Sequence, residues 1–228
     1  MTEAGSGLHA GTHKVIDFLG FPLNIDTVIM TWIVMAIVIV IGFLATRNVK
    51  IVPGRLQSAI EMIVIALVEQ VENNMGPKGK AVVPIIITLF LFIFVSNELG
   101  LVPGGFVSPT ADLNTTLGLA IFVALLVHIM GVKQKGFFKH FKHFFEPFVP
   151  FVVINIVEEI ARPITLAFRL FGNILAGEIL LEVLTTKLVP FIIPSIWLGF
   201  SLVVGLIQAA IFTILTISYL SNSFKEEH

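Results

Sequence analysis

The stretch PFVPFVVINIVEEIARPITLAFRLFGNILAGEILLEVLTT runs from Pro147 to Thr186. It is apolar along most of its length, yet it carries Arg162 and Arg169. As one helix these 40 residues would extend about 60 Å, twice the ~30 Å hydrocarbon core of a bilayer. Either the helix breaks, with Pro163 as the natural place, or it lies strongly slanted. Helix-compatible sequence continues on both sides of Pro163. A long slanted helix is therefore expected, packed as a hairpin against the next apolar stretch, Val189 to Leu220.

The rest of the chain sets the class. Of 228 residues, 56% are hydrophobic and 13% are charged, against about 25% charged in soluble domains. The mean hydropathy is +0.99. The apolar runs are continuous rather than alternating, which indicates an all-α integral membrane protein. A net charge of -1 argues against nucleic acid as a partner. The absence of cysteine excludes disulfides, thiolate metal sites and cysteine nucleophiles. No Gly-rich phosphate loop, nucleotide motif or catalytic constellation occurs. Neither a cofactor nor enzymatic chemistry by this chain alone is expected. His140 and His143 are spaced i, i+3 in a basic, phenylalanine-rich loop and read as interface anchors rather than metal ligands.

Three further spans are expected at Thr27–Thr46, Ala81–Val102 and Thr115–Val132, making five with 147–186 and 189–220. Between the first two lies RLQSAIEMIVIALVEQVENNMG, residues 55–76. It places Ile60, Val64, Leu67, Val68 and Val71 on one helical face, with Glu61, Glu69 and Glu72 off it. This reads as an amphipathic helix at the interface; a sixth span is the alternative, disfavoured by the frequency of charge. The N-terminal residues lack a basic start and a small-residue cleavage site, so the first span should remain in the protein. Arg47, Lys50, Arg55, Lys78, Lys80, Lys133, Lys135, Lys139 and Lys142 fall on one side if the chain crosses alternately. The loop between the second and third spans has no lysine or arginine. The positive-inside rule then puts residues 1–26 outside and the tail 221–228 in the cytoplasm. Lys187 is the single dissenting charge.

At 100° per residue, Asn155, Glu158, Arg162, Thr165, Arg169 and Asn173 lie within about 40° of one line. They form a polar stripe on one face. Glu178 lies opposite Arg169, with Glu182 one turn beyond. On the last helix Ser201, Gly205, Gln208 and Tyr219 share a face, so an amide there could meet a guanidinium across the hairpin. Arg162 has Glu158 at i−4 and can be a structural pair. Arg169 has no acid at i±3 or i±4, and an unpaired arginine at membrane depth costs at least ~2.5 kcal/mol. It calls for an acid on another chain or a water-filled cavity. Gly172, Ala176 and Gly177 would let another helix approach closely.

RPITLAFRLFGNILAGE, followed by LIQAAIFTILTISYL and a tail ending EEH, resembles subunit a of bacterial F-type ATP synthases. SNELGLVPG and PTADLNTTLGLA are similar to that family's second and third spans, and the resemblance extends from about Thr27 to His228. It implies the stator half of a rotary ion channel in the bacterial plasma membrane. The implied partners are a ring of c-subunits, the b-subunit peripheral stalk and membrane lipid. Two offset half-channels would carry protons or sodium ions to and from the ring carboxylates. Arg169 matches the family's essential arginine, and Gln208 a glutamine near it. Glu178, Asn173, Asn97 and Asn114 match polar positions linked to the ion path. Ser201 stands where some relatives have histidine. Asn155 stands where some have an acid, with Glu158 one turn later, so no relative's path can be copied. Two rival classes are a self-contained secondary transporter, for which no internal repeat is found, and a scaffold with structural charges only.

Overall fold

Inside hydrocarbon no water is present to bond a bare peptide group, so an apolar chain that spans a membrane without barrel-type alternation must do so as helices. The computed structural model describes residues 15–18, 21–47, 54–102, 106–138, 152–187 and 192–224. They are very largely helical. A short antiparallel pair, β1 (Val15–Phe18) and β2 (Phe21–Asn24), leads into α1 (Ile25–Arg47). Next come α2 (Arg55–Met75), a 3-10 segment (Gly76–Val82) and α3 (Val83–Leu99). A 3-10 turn (Pro109–Ala111) precedes α4 (Leu113–Lys135), and the long α5 (Val152–Lys187) and α6 (Ile192–Phe224) complete the described elements. Five helical stretches are long and apolar enough to cross a membrane: α1, the run Gln57–Leu99 that includes α2 and α3, α4, α5 and α6. The all-α expectation stands, with β1–β2 as a small addition ahead of the first span. His140, His143, Lys139, Lys142, residues 1–14, the stretch ends 147–151 and 189–191, and the tail from 225 lie outside the described residues.

Pro163 does not break α5, which runs through it for 36 residues. Proline removes one N–H from the ladder and crowds the carbonyl one turn back, but the flanking residues keep the helix whole. With 33 residues in α6, the two helices measure about 54 and 50 Å. Both exceed the ~30 Å apolar core of a bilayer, so as spans they must tilt or project beyond it. Their contacts show an antiparallel pair. Trp197 Nε1 donates to Gly177 O at 3.3 Å, Asn173 Nδ2 to Gln208 Oε1 at 3.4 Å, and the Arg162 guanidinium lies 5.6 Å from the Tyr219 ring centre. As the number falls on α5, it rises on α6.

Helix α6 is the hub, packed against α2, α3, α4 and α5. It buries Ala209, Phe212, Ile217 and Leu220 among Ile86, Leu89 and Ile93 of α3, Val123 and Val127 of α4, and Leu166 and Leu170 of α5. Near its end Ser221 Oγ donates to Asn74 O at 3.1 Å and Ser223 Oγ to Val127 O at 3.1 Å. These bonds tie it to α2 and α4. Helix α1, by contrast, buries only Thr27 and Val34. Its first turn is held by Asp112, whose Oδ2 accepts from Asn24 Nδ2 at 2.6 Å and Thr27 Oγ1 at 3.0 Å. Asp112 Oδ1 meanwhile caps α4 through Asn114 N at 2.8 Å.

The α2 face that carries Leu67, Val71 and Met75 is buried, while Met62 and Ile65 are exposed. Gly76, at φ 63°, ends this helix in a conformation that costs other residues a Cβ clash. The following 3-10 segment folds back so tightly that a Cβ on Gly79 would lie 2.8 Å from both Met75 Cβ and Val71 Cγ1. Gly79→Leu should therefore destabilise the fold by about 1–3 kcal/mol through overpacking. Gly118→Ala, with open space around it, should not. The thermal midpoints of the two solubilised variants check this.

Candidate functional site

The inner faces of α5 and α6 carry polar residues at two levels, and a cavity opens at each. The larger, about 280 Å³, is lined by Asn97, Asn173, Glu178, Trp197, Ser201 and Gly205 among others. The smaller, about 120 Å³, is lined by His128, Asn155, Glu158, Glu159, Arg162 and Tyr219 among others. Along α5 the two are separated by the turns that hold Arg169.

The larger cavity is built on a hydrogen-bonded loop. Asn97, buried in the last turns of α3, donates through Nδ2 to Gly205 O at 3.1 Å. Its Oδ1 accepts from Thr110 Oγ1 at 2.7 Å. Ser108 Oγ sits 2.7 Å from Thr110 Oγ1 and 2.8 Å from Ser96 O. Ser108 N donates to Glu178 Oε1 at 3.2 Å. The connection between α3 and α4 thereby grips both Asn97 and Glu178. Gly100 makes room: a Cβ there would lie 2.7 Å from Glu178 Oε1.

The smaller cavity is ionic. Arg162 donates to Glu158 Oε1 at 2.6 Å and to Glu159 Oε2 at 3.3 Å. His128 Nε2 lies 3.5 Å from Glu159 Oε1. The guanidinium of Arg162 is thus matched by two carboxylates from its own helix, which agrees with the structural reading of that residue.

Arg169 is different. It is exposed and has no hydrogen-bond or ion-pair partner among the described residues. Phe168, Ile207, Ile211 and Ile214 are likewise exposed on the hairpin. On α6, Gln208 is buried, 4% exposed. Its Oε1 meets Asn173, while its Nε2 has no hydrogen-bond partner among the described residues.

Of the residues singled out from the sequence, Asn97, Asn173, Glu178 and Ser201 come together in the larger cavity. Asn155 and Glu158 meet in the smaller, and Gln208 lies between. Asn114 does not join them. It is exposed at the start of α4, and its backbone N–H serves the Asp112 cap. Glu182 is not among the lining residues of either cavity. Sequence reasoning passed over Glu98, Ser108, Thr110 and Asp112. An acid within an apolar span was the available signal for Glu98, and a Ser-Pro-Thr-Ala-Asp run before a helix was the signal for the cap. Among the described residues no group of three or more His, Cys, Asp or Glu could hold a metal ion.

The family model described as ATP synthase A chain matches residues 28–221. ATP synthase subunit a of Desulforamulus reducens is 48% identical over 223 residues, covering 94% of this chain and 85% of that relative. ATP synthase subunit a 2 of Syntrophotalea carbinolica is 40% identical over 87% of this chain and 85% of its own length. ATP synthase subunit a of Geobacter sulfurreducens is 37% identical over 89% of each. With the match running from the first span to the end of α6, and with relatives this similar over nearly their full length, the chain belongs to the ATP synthase A chain family, a multi-pass membrane component of that complex.

Proposed function

We propose that the α5–α6 hairpin is the stator wall of a rotary ion path, with the two cavities as half-channels that open toward opposite sides of the membrane. The observation that carries this reading is Arg169, a permanent charge left unmatched on an exposed, largely apolar face between the two cavities. On α5 it lies about 10 Å along the axis from Arg162 and about 6 Å from Asn173. A ring of c-subunits passing this face would bring the missing acid. An ion that enters one half-channel neutralises a ring carboxylate, which can then face lipid at far lower cost than a charge. After nearly a full turn the site meets the other half-channel and releases its ion. Arg169 attracts the emptied carboxylate and, being unable to give up its own proton, bars a direct passage between the half-channels.

In this arrangement Asn97, Asn173, Glu178 and Ser201 line one half-channel and Asn155 and Glu158 the other, with Gln208 against Asn173. The ion is a proton or sodium; the ring carboxylate makes that choice. The membrane is the bacterial plasma membrane, and the b-subunit stalk holds the hairpin still against the ring. Helix α2 lies along the cytoplasmic interface.

Replacing Arg169 by alanine should abolish ion-driven ATP synthesis in membrane vesicles while the assembled complex keeps its nucleotide hydrolysis. A scaffold with structural charges only would keep synthesis. Orientation is tested separately, on a background free of cysteine. With a membrane-impermeant maleimide, Lys78→Cys should label only in inverted vesicles and Phe106→Cys only in intact cells or right-side-out vesicles.

A further inference from the structure

Glu98, in the last turn of α3, has both carboxylate oxygens shielded from solvent, and neither has a hydrogen-bond partner among the described residues. The side chain is wedged where α3 meets α6. A Cβ on Gly205 would lie 2.7 Å from Glu98 Oε1 and 3.3 Å from Asn97 Cβ. Only a residue without a side chain admits the carboxyl group at this spot. Gly205 and the adjacent Asn97 both line the larger cavity. One turn further along α6, the buried Gln208 Nε2 is an orphaned donor. An orphaned acid and an orphaned amide therefore lie within one turn of each other along α6, next to a largely apolar cavity into which Asn97, Asn173, Glu178 and Ser201 bring polar groups.

Such groups are expensive to bury unsatisfied. A carboxyl group here serves stability poorly: a leucine or glutamine would fill the same α3–α6 contact at no greater polar cost. What a carboxyl group adds is a site for a proton. The cavity has room and polar partners enough to hold water, and Glu178 provides a second carboxyl group on its wall.

We infer that Glu98 is a proton-relay residue of the larger half-channel, passing protons between the water of that cavity and the Gln208–Asn173 link one turn from Arg169. In the inward direction a hydronium ion in the cavity gives its proton to one Glu98 oxygen and becomes water. That same O–H then gives up its proton through water to the ring carboxylate, and Glu98 returns to its carboxylate form. Glu98 ends the cycle with the charge it began with, and the reverse order serves outward flow. The inference rests on the half-channel reading of this cavity and takes the proton, of the two ions named above, as the one carried.

The test uses the whole complex in membrane vesicles. Glu98→Gln keeps shape but cannot titrate; Glu98→Asp keeps the acid. Loss of a positioned proton carrier costs roughly 10²-fold or more in catalysis. Because water can carry part of this path, Glu98→Gln should lower proton-driven ATP synthesis and passive proton flow through the stripped membrane sector about tenfold. Recovery of assembled complex should be unchanged, and Glu98→Asp should restore most of the flow. Wild-type flow in Glu98→Gln, or equal impairment of the glutamine and aspartate variants, would overturn the inference. Arg169→Ala, run alongside, separates the two readings. If it keeps coupled synthesis, the stator assignment itself fails. If it is inactive while Glu98→Gln is normal, only the relay falls.

Discussion

A guanidinium cannot shed its charge at any accessible pH, and Arg169 presents one on the exposed side of α5, between Thr165 and Asn173 and beside the exposed Phe168. The contrast with Arg162 sharpens the point. Seven residues away on the same helix, that arginine is satisfied by Glu158 and Glu159 within one turn. The chain is thus capable of supplying local counter-charges and does so where the charge has a structural task. The difference between a matched and an unmatched arginine on one continuous helix organises the rest of the architecture. The unmatched charge falls between the two cavities, and one turn along α5 from it Asn173 meets the buried Gln208.

Holding that arrangement requires a rigid backing, and α6 provides it. Its inner face alternates large apolar residues, such as Phe212 and Leu220, with small or polar ones, such as Gly205 and Ser201. The large residues bind α6 to α2, α3, α4 and α5. The small ones leave space, and the space becomes the cavity at one end of the hairpin. Polar anchors come from outside the hairpin: Ser108 and Thr110 from the α3–α4 connection, Asn97 from α3. Ser201, the α6 side chain at this level, does not titrate. The acids at this level come from the neighbouring helices: Glu178 of α5 lines the cavity, and Glu98 of α3 lies against Gly205.

The same division of labour explains the two ends of the molecule. Asp112 joins α1 to α4 with three hydrogen bonds, and α1 otherwise leaves most of its surface uncovered. The helices that form the cavities are joined mainly by buried apolar side chains such as Ile93, Leu166, Leu170 and Phe212, with Asn97, Asn173 and Trp197 adding hydrogen bonds at the larger cavity. Charge and hydrogen bonding place individual residues; burial holds the helices at the spacing that makes those placements meaningful.

The sequence by itself determined a helical membrane protein, the five apolar stretches and the polar stripe on α5, because composition and a 3.6-residue period survive in one dimension. Arg169 was conspicuous for the same reason: the absence of an acid at i±3 and i±4 can be counted. The tertiary structure decided which polar residues, on that stripe and off it, come together. It spent Arg162 on local carboxylates, left Arg169 outside, drew Asn97, Asn173, Glu178 and Ser201 to one cavity and left Asn114 at a helix start. Glu98 was invisible as anything but an acid near the end of a span. Its burial depends on how closely α6 approaches through Gly205, and distance between helices is not written in either one.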